Sequence, residues 1–111
     1  MQISFRSRKL AKLCASERAL VREFGRENAR KIMMRLTVLE AAESLNDVPT
    51  APPTRRHPLQ GNRKGCFAVD LKHPFRIVLK PAQHPIPKRD DGGIDLFAVT
   101  AIEIIDIEDY H

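Results

Sequence analysis

An α+β fold, with an N-terminal strand and a helix hairpin packed on a small, mostly antiparallel sheet, is what the order of patterns along this chain predicts. Three observations predict it. Apolar residues recur at helical spacing through one early block, around residues 10–39. Two later stretches, 66–79 and 99–107, carry β-rich runs, and turn residues punctuate the first at hairpin spacing. The order of one strand, two helices and then strands is that of segregated α and β parts. A length of 111 residues suits one core and not two, so residues 1–111 are expected to form a single domain.

Gln2 to Phe5 alternates polar and apolar and reads as a first strand. Ser7 is placed to cap the next segment, because its hydroxyl can accept from the free N–H groups of a first turn. Leu10, Leu13 and Cys14 share a helical face; Ser16 offers a second cap, and Leu20, Val21 and Phe24 continue the stripe. Gly25 is the expected stop, since it adopts left-handed backbone without strain. A second helix follows from Arg26, with Ala29, Ile32, Met33, Leu36 and Leu39 three and four residues apart. Arg30, Lys31 and Arg35 are read as falling mostly away from that stripe.

Prolines 49, 52, 53 and 58 forbid helix in the connector, which leads into a strand-like segment at His57 to Gln60. Gly61, Asn62 and Gly65 mark a turn. Cys66 to Leu71 then puts Phe67, Val69 and Leu71 on one face, and Phe75 to Leu79 is its β-rich partner beyond His73-Pro74. Residues 81–95 show neither period and read as a long exposed excursion. Val99 to Ile107, apolar on both sides, reads as a central strand, with Ile102 and Ile104 on one face and Glu103 and Ile105 on the other.

Charge is uneven. Residues 1–40, 41–80 and 81–111 carry +6, +4 and −5. A basic body with an acidic end favours a polyanion for the first eighty residues. The basic helices, through Arg26, Arg30, Lys31 and Arg35, are expected to dock on RNA, with Arg63 and Lys64 in the later turn as further RNA contacts. A solvated basic face explains the same charges, and charge alone leaves both readings open. Cys14 and Cys66 have no partners at zinc-ligand spacing, so reduced thiols and no metal are expected. No leader and no membrane-spanning segment is expected. Phosphate-cradling, nucleophile-elbow and zinc-protease motifs are absent from the sequence.

What remains is a set of basic and protic side chains in the strand half: His57, Arg63, Lys64, Lys72, Arg76, Tyr110 and His111. Cleavage of RNA by its own 2′-hydroxyl needs a base for that proton, cations on the phosphorane and an acid for the leaving 5′ oxygen. Histidine does either proton job near neutral pH, and arginine grips phosphate oxygens without losing its charge. His73 and His84, each before a proline, are assigned to turns without function.

The block Arg56-His57-Pro58-Leu59-Gln60-Gly61-Asn62-Arg63-Lys64-Gly65, the run Phe75-Arg76-Ile77 and the final Asp109-Tyr110-His111 resemble the HigB-like killer toxins of the RelE superfamily. The Leu-rich helices ending in Ala41-Ala42-Glu43-Ser44-Leu45 fit the same pattern. The resemblance implies a RelE-like fold and a cytoplasmic, ribosome-dependent mRNA endonuclease that needs no cofactor. It implies as partners a cognate helix-turn-helix antitoxin, the ribosome and mRNA, with operator DNA reached only through the antitoxin and no membrane. By position it makes His57, Lys72, Arg76, Tyr110 and His111 the catalytic set, with Asp109 orienting its neighbours. Two departures stand out: Gln60 occupies a position where many relatives have a lysine, and the excursion at 81–95 is longer than the relatives' tight turn. His57 or His111 is expected as base or acid, and the sequence does not say which; a carboxylate on residue 111 would favour the charged ring there and suit His111 to the acid role, with His57 closer to the base role.

Overall fold

The computed structural model describes residues 1–110; His111 lies outside the described residues. It contains β1 (Gln2–Phe5), α1 (Arg8–Cys14), α2 (Glu17–Ala41), β2 (His57–Pro58), β3 (Phe67–Asp70), β4 (Phe75–Pro81) and β5 (Ala101–Asp109). The sheet order is β1-β5-β4-β3-β2, antiparallel throughout except for the parallel β1–β5 pair. β5 has a strand on each side, as expected of an apolar run covered on both faces.

Both expected serine caps form. The Ser7 and Ser16 hydroxyls each accept from the backbone N–H three residues on, at 3.1 Å. The helix layer therefore breaks at Ser16 as well as at Gly25. Gly25, at φ 86° and ψ 163°, leaves helical geometry inside α2. That backbone region is essentially reserved for glycine. After it the helix runs on to Ala41. The Asn28 side-chain oxygen accepts from the backbone N–H of Lys72, and the carbonyls of Leu39, Glu40 and Ala42 surround the amino group of Met1.

The core lies between helices and sheet. Leu20, Ala29, Ile32 and Leu39 pack with Val69, Ile77, Leu79, Ile102, Ile104 and Ile107. The opposite sheet face has a smaller apolar patch of Leu59, Ala68, Val78 and Ile105. Register explains how one strand serves both. Val78 pairs with Asp106 but Leu79 with Ile104, so Ile105 is an extra residue in a β-bulge. The bulge inverts the alternation. Ile107 returns to the helix face, and Asp106 and Glu108 turn to the open face.

The sequence reading of 81–95 changes in part. Pro81 belongs to β4, Lys88 and Ile94 form an isolated antiparallel bridge, and Ile94 and Leu96 pack against the core. The segment is thus an ordered lobe anchored at its ends. Strand β2 is shorter than expected because Leu59 leaves the ladder after Pro58; its N–H still donates to the Cys66 carbonyl.

Candidate active site on the open sheet face

Three residues lie in one cross-strand row: Asp70 on β3, Arg76 on β4 and Glu108 on β5. Adjacent positions in such a row bring side chains within reach of each other. Arg76 donates to Glu108 at 3.5 Å, and its guanidinium carbon stands 4.6 Å from the centre of the Tyr110 ring. Tyr110 is set by its backbone, which donates to the carbonyl of Pro74 at 3.2 Å. His73 meets the same ring edge-on, with centroids 6.0 Å apart. Glu108 also accepts from Arg63 at 2.9 Å, so the turn after β2 is drawn over the sheet.

Arg55 enters from the other side. It holds Asp70 in a two-pronged contact through Nε and Nη2. The Asp70 hydrogen bond and charge strengthen the hold of this guanidinium on its proton, and the hydroxyl of Tyr110 adds a smaller pull. Arg55 is also the one described non-glycine residue with positive φ, at 47°. That conformation aims its carbonyl at His57 Nδ1, 2.8 Å away. A carbonyl only accepts, so Nδ1 carries the hydrogen, and a neutral ring held this way has Nε2 as its proton acceptor.

His57 pairs with Ala68, which pairs with Val78, one same-face row from Arg76. Two strand spacings and one row put the two Cα atoms roughly 12 Å apart, a gap that both side chains and one phosphodiester can fill.

The structure does not assemble the whole expected set. It brings Arg76, Tyr110 and Arg63 together and holds His57 at the edge. Lys64 is exposed and forms no ion pair among the described residues. Lys72 is not a strand residue: it lies in the β3–β4 turn, and its Nζ pairs with Glu27 of α2 at 3.1 Å. It therefore belongs to the helix side, not to the Arg76 cluster. Arg35 is a correction of a different kind. It is 4% exposed, donating from Nε to the Asp70 carbonyl at 2.8 Å and from Nη2 to the Pro53 carbonyl at 3.3 Å. A residue so enclosed is no RNA-docking cation. Its position three after Ile32 and four before Leu39 was the signal that it shares their buried face. Arg26 and Arg30 are exposed as expected, at the rim of a groove lined by Val21, Ala29 and Met33. His111 lies outside the described residues.

Sequence reasoning missed Arg55, Asp70 and Glu108, while His73 lies in the β3–β4 turn as expected. For Glu108 a signal existed: the doubled apolar pair Ile104-Ile105 interrupts strict alternation, as a bulge does. For the Arg55 guanidinium no local signal exists, since the side chains it meets are fifteen or more residues away.

Among the described residues no three His, Cys, Asp or Glu side chains gather as metal ligands, and no helix is long and apolar enough to cross a membrane. No family model matches the chain, and no curated protein matches it. Solved structures do. A chain of the YoeB-YefM complex from Staphylococcus aureus is 15% identical, over 100% of this chain and 97% of that one, with a TM-score of 0.54. The YoeB/ParE toxin from Agrobacterium tumefaciens is 12% identical over the whole of both chains, with a TM-score of 0.57. The small α+β architecture of two helices and a five-stranded, mostly antiparallel sheet is thus that of YoeB/ParE toxin folds.

Proposed function

We propose that this chain is the toxin of a type II toxin–antitoxin pair, of the RelE superfamily and HigB-like in its motifs, and that it cleaves mRNA on the ribosome. The observation that carries the reading is the open-face cluster of Arg76, Tyr110 and Glu108, with His57 held at its edge by Nδ1. In the reaction, Nε2 of His57 takes the proton of a ribose 2′-hydroxyl. The 2′ oxygen attacks the adjacent phosphorus, and the bond from phosphorus to the 5′ oxygen breaks. Arg76 carries charge from the phosphorane. The leaving oxygen takes a proton from an acid, a role we assign to His111, which the resemblance places in the catalytic set. The products are a 2′,3′-cyclic phosphate and a 5′-hydroxyl. Tyr110 offers an aromatic face for an unpaired base.

The partners in this reading are a helix-turn-helix antitoxin, the ribosome and its mRNA, in the cytoplasm. The Arg76 cluster offers a single tyrosine ring, Tyr110, for stacking, which suits RNA that another body already holds in place. Purified protein is expected to cut free RNA poorly for that reason.

A second reading is a non-catalytic RNA- or partner-binding module. Two observations favour it: Gln60 replaces a lysine of many relatives, and Lys72 is engaged by Glu27 away from the cluster. Induction in growing cells decides. The enzyme reading expects growth arrest and mRNA fragments ending in 2′,3′-cyclic phosphate, both abolished by Arg76→Ala while antitoxin binding survives. Arrest that persists in that variant, with its fold confirmed by circular dichroism, sinks the catalytic assignment.

A further inference from the structure

Arg76, the cation that the sequence assigns to the phosphate, is poorly placed to receive one alone. Its side chain is 15% exposed and is paired with Glu108. Among the described residues its Nε is buried with no hydrogen-bond partner, so no ligand reaches that edge. Arg63 is committed to the same carboxylate, and Lys72 sits with Glu27. Arg55 differs. Its side chain is 44% exposed, and it stands beside the Tyr110 hydroxyl.

A guanidinium has two edges that can each donate a parallel pair of hydrogen bonds. Asp70 occupies the Nε/Nη2 edge of Arg55 and fixes its plane. The Nη1/Nη2 edge is the one Asp70 does not span, and the Tyr110 hydroxyl lies near this guanidinium. Asp70 is itself braced: its N–H donates to the Thr54 carbonyl and its own carbonyl accepts from buried Arg35. The backbone that carries Arg55 is in turn tied to His57 through the Nδ1 contact.

We infer that the outer edge of Arg55, beside Tyr110, is the seat of the scissile phosphodiester, with Asp70 as the residue that positions it. The inference rests on the RNA-cleaving reading above and names the substrate-binding group of that site. One residue then does two jobs. Its carbonyl sets the tautomer of the base, and its guanidinium holds the phosphate that the base's nucleophile attacks. Left-handed backbone at Arg55 is what lets both groups serve one substrate, which accounts for a conformation that a side chain adopts at a cost.

Glycine adopts positive φ freely, so Arg55→Gly removes the guanidinium and keeps the carbonyl in place. The test is a nuclear magnetic resonance titration with two probes: a tetranucleotide bearing 2′-O-methyl groups, which cannot be cleaved, and inorganic phosphate. The tetranucleotide is expected to shift the Arg55 guanidinium and Tyr110 ring signals. Arg55→Gly should weaken its binding at least tenfold while the His57 ring nitrogens keep the Nδ1-protonated pattern. Arg55→Lys should restore part of the affinity, and Asp70→Asn should weaken binding without touching that pattern. Tetranucleotide affinity unchanged in Arg55→Gly overturns the inference. So does an Arg55 signal that answers inorganic phosphate but not the tetranucleotide, which marks an adventitious anion site only. Cleavage on ribosomes is measured in parallel. If the wild type fails to cleave but Arg55 still answers the tetranucleotide, the enzyme reading falls and the seat stands. If Arg55→Gly cleaves like the wild type, the seat falls and the enzyme reading stands.

Discussion

Arg35, in the middle of α2, donates from Nε to the backbone carbonyl of Asp70, at the end of β3, across 2.8 Å. The same guanidinium reaches the carbonyl of Pro53 at 3.3 Å. One buried cation thus ties the helix layer to the connector and to the strand whose side chain grips Arg55. Burial lowers the hold of Arg35 on its proton, and the charge of Asp70 works against that. Arg35→Ala strands two carbonyls and opens a void. A destabilisation of about 2–4 kcal/mol is expected, because truncating a buried hydrogen-bonded charge costs far more than an exposed one. A urea midpoint equal to that of the wild type would contradict the bracing role.

Gly25 tests the backbone alone. A Cβ there meets nothing within 4 Å, yet φ is 86°. Gly25→Ala should therefore cost about 1–3 kcal/mol, all of it backbone strain. An alanine variant that melts with the wild type would show that the two arms of α2 tolerate another link.

Cys14 gives the alkaline limb of stability. Burial pushes its thiol from 9.0 up to about 11. A raised acid is neutral in the folded state where it would ionise unfolded. Its contribution is complete below about pH 9 and is lost as pH rises from 9 to 11. The residue is only half-buried, so the loss is about 1 kcal/mol after allowing for solvent screening. Cys14→Ala should flatten this limb in denaturant melts at pH 8 to 11; a limb of unchanged slope refutes the assignment.

Glu108 competes with any phosphate for Arg76 and Arg63. Glu108→Gln should raise affinity for the uncleavable tetranucleotide several-fold and cost stability of about 1 kcal/mol, the worth of a partly exposed charged pair. Equal or weaker RNA binding would show that the carboxylate does not mask the cations.

Ribosome docking is expected to run through exposed Arg26 and Arg30, without Arg35. Binding should fall with salt, and reversing both charges should lower the log–log salt slope by about 2, near one per lost phosphate contact. An unchanged slope in Arg26→Glu/Arg30→Glu removes this face from the interface.

Local physics settled much of this protein. Ser7 and Ser16 are helix caps by their own hydroxyl chemistry, and Gly25 breaks the helix through its own backbone freedom. The alternation of Phe67, Val69, Ile77 and Leu79 chose the sheet's buried face, because a side-chain period of two permits no other. All of these act over a few residues, so the sequence displays them. The site was legible only in its ingredients. His57, Arg76 and Tyr110 were recognisable as types, but not who holds them. That Arg35 is buried, that Lys72 belongs to Glu27, and that Arg55 meets both Asp70 and Tyr110 depend on partners fifteen to fifty-five residues away. Above all, one extra residue at Ile105 turns Glu108 from the helix face to Arg76. Charge carries no direction until strands are paired, and only the paired sheet fixes on which side each charge stands.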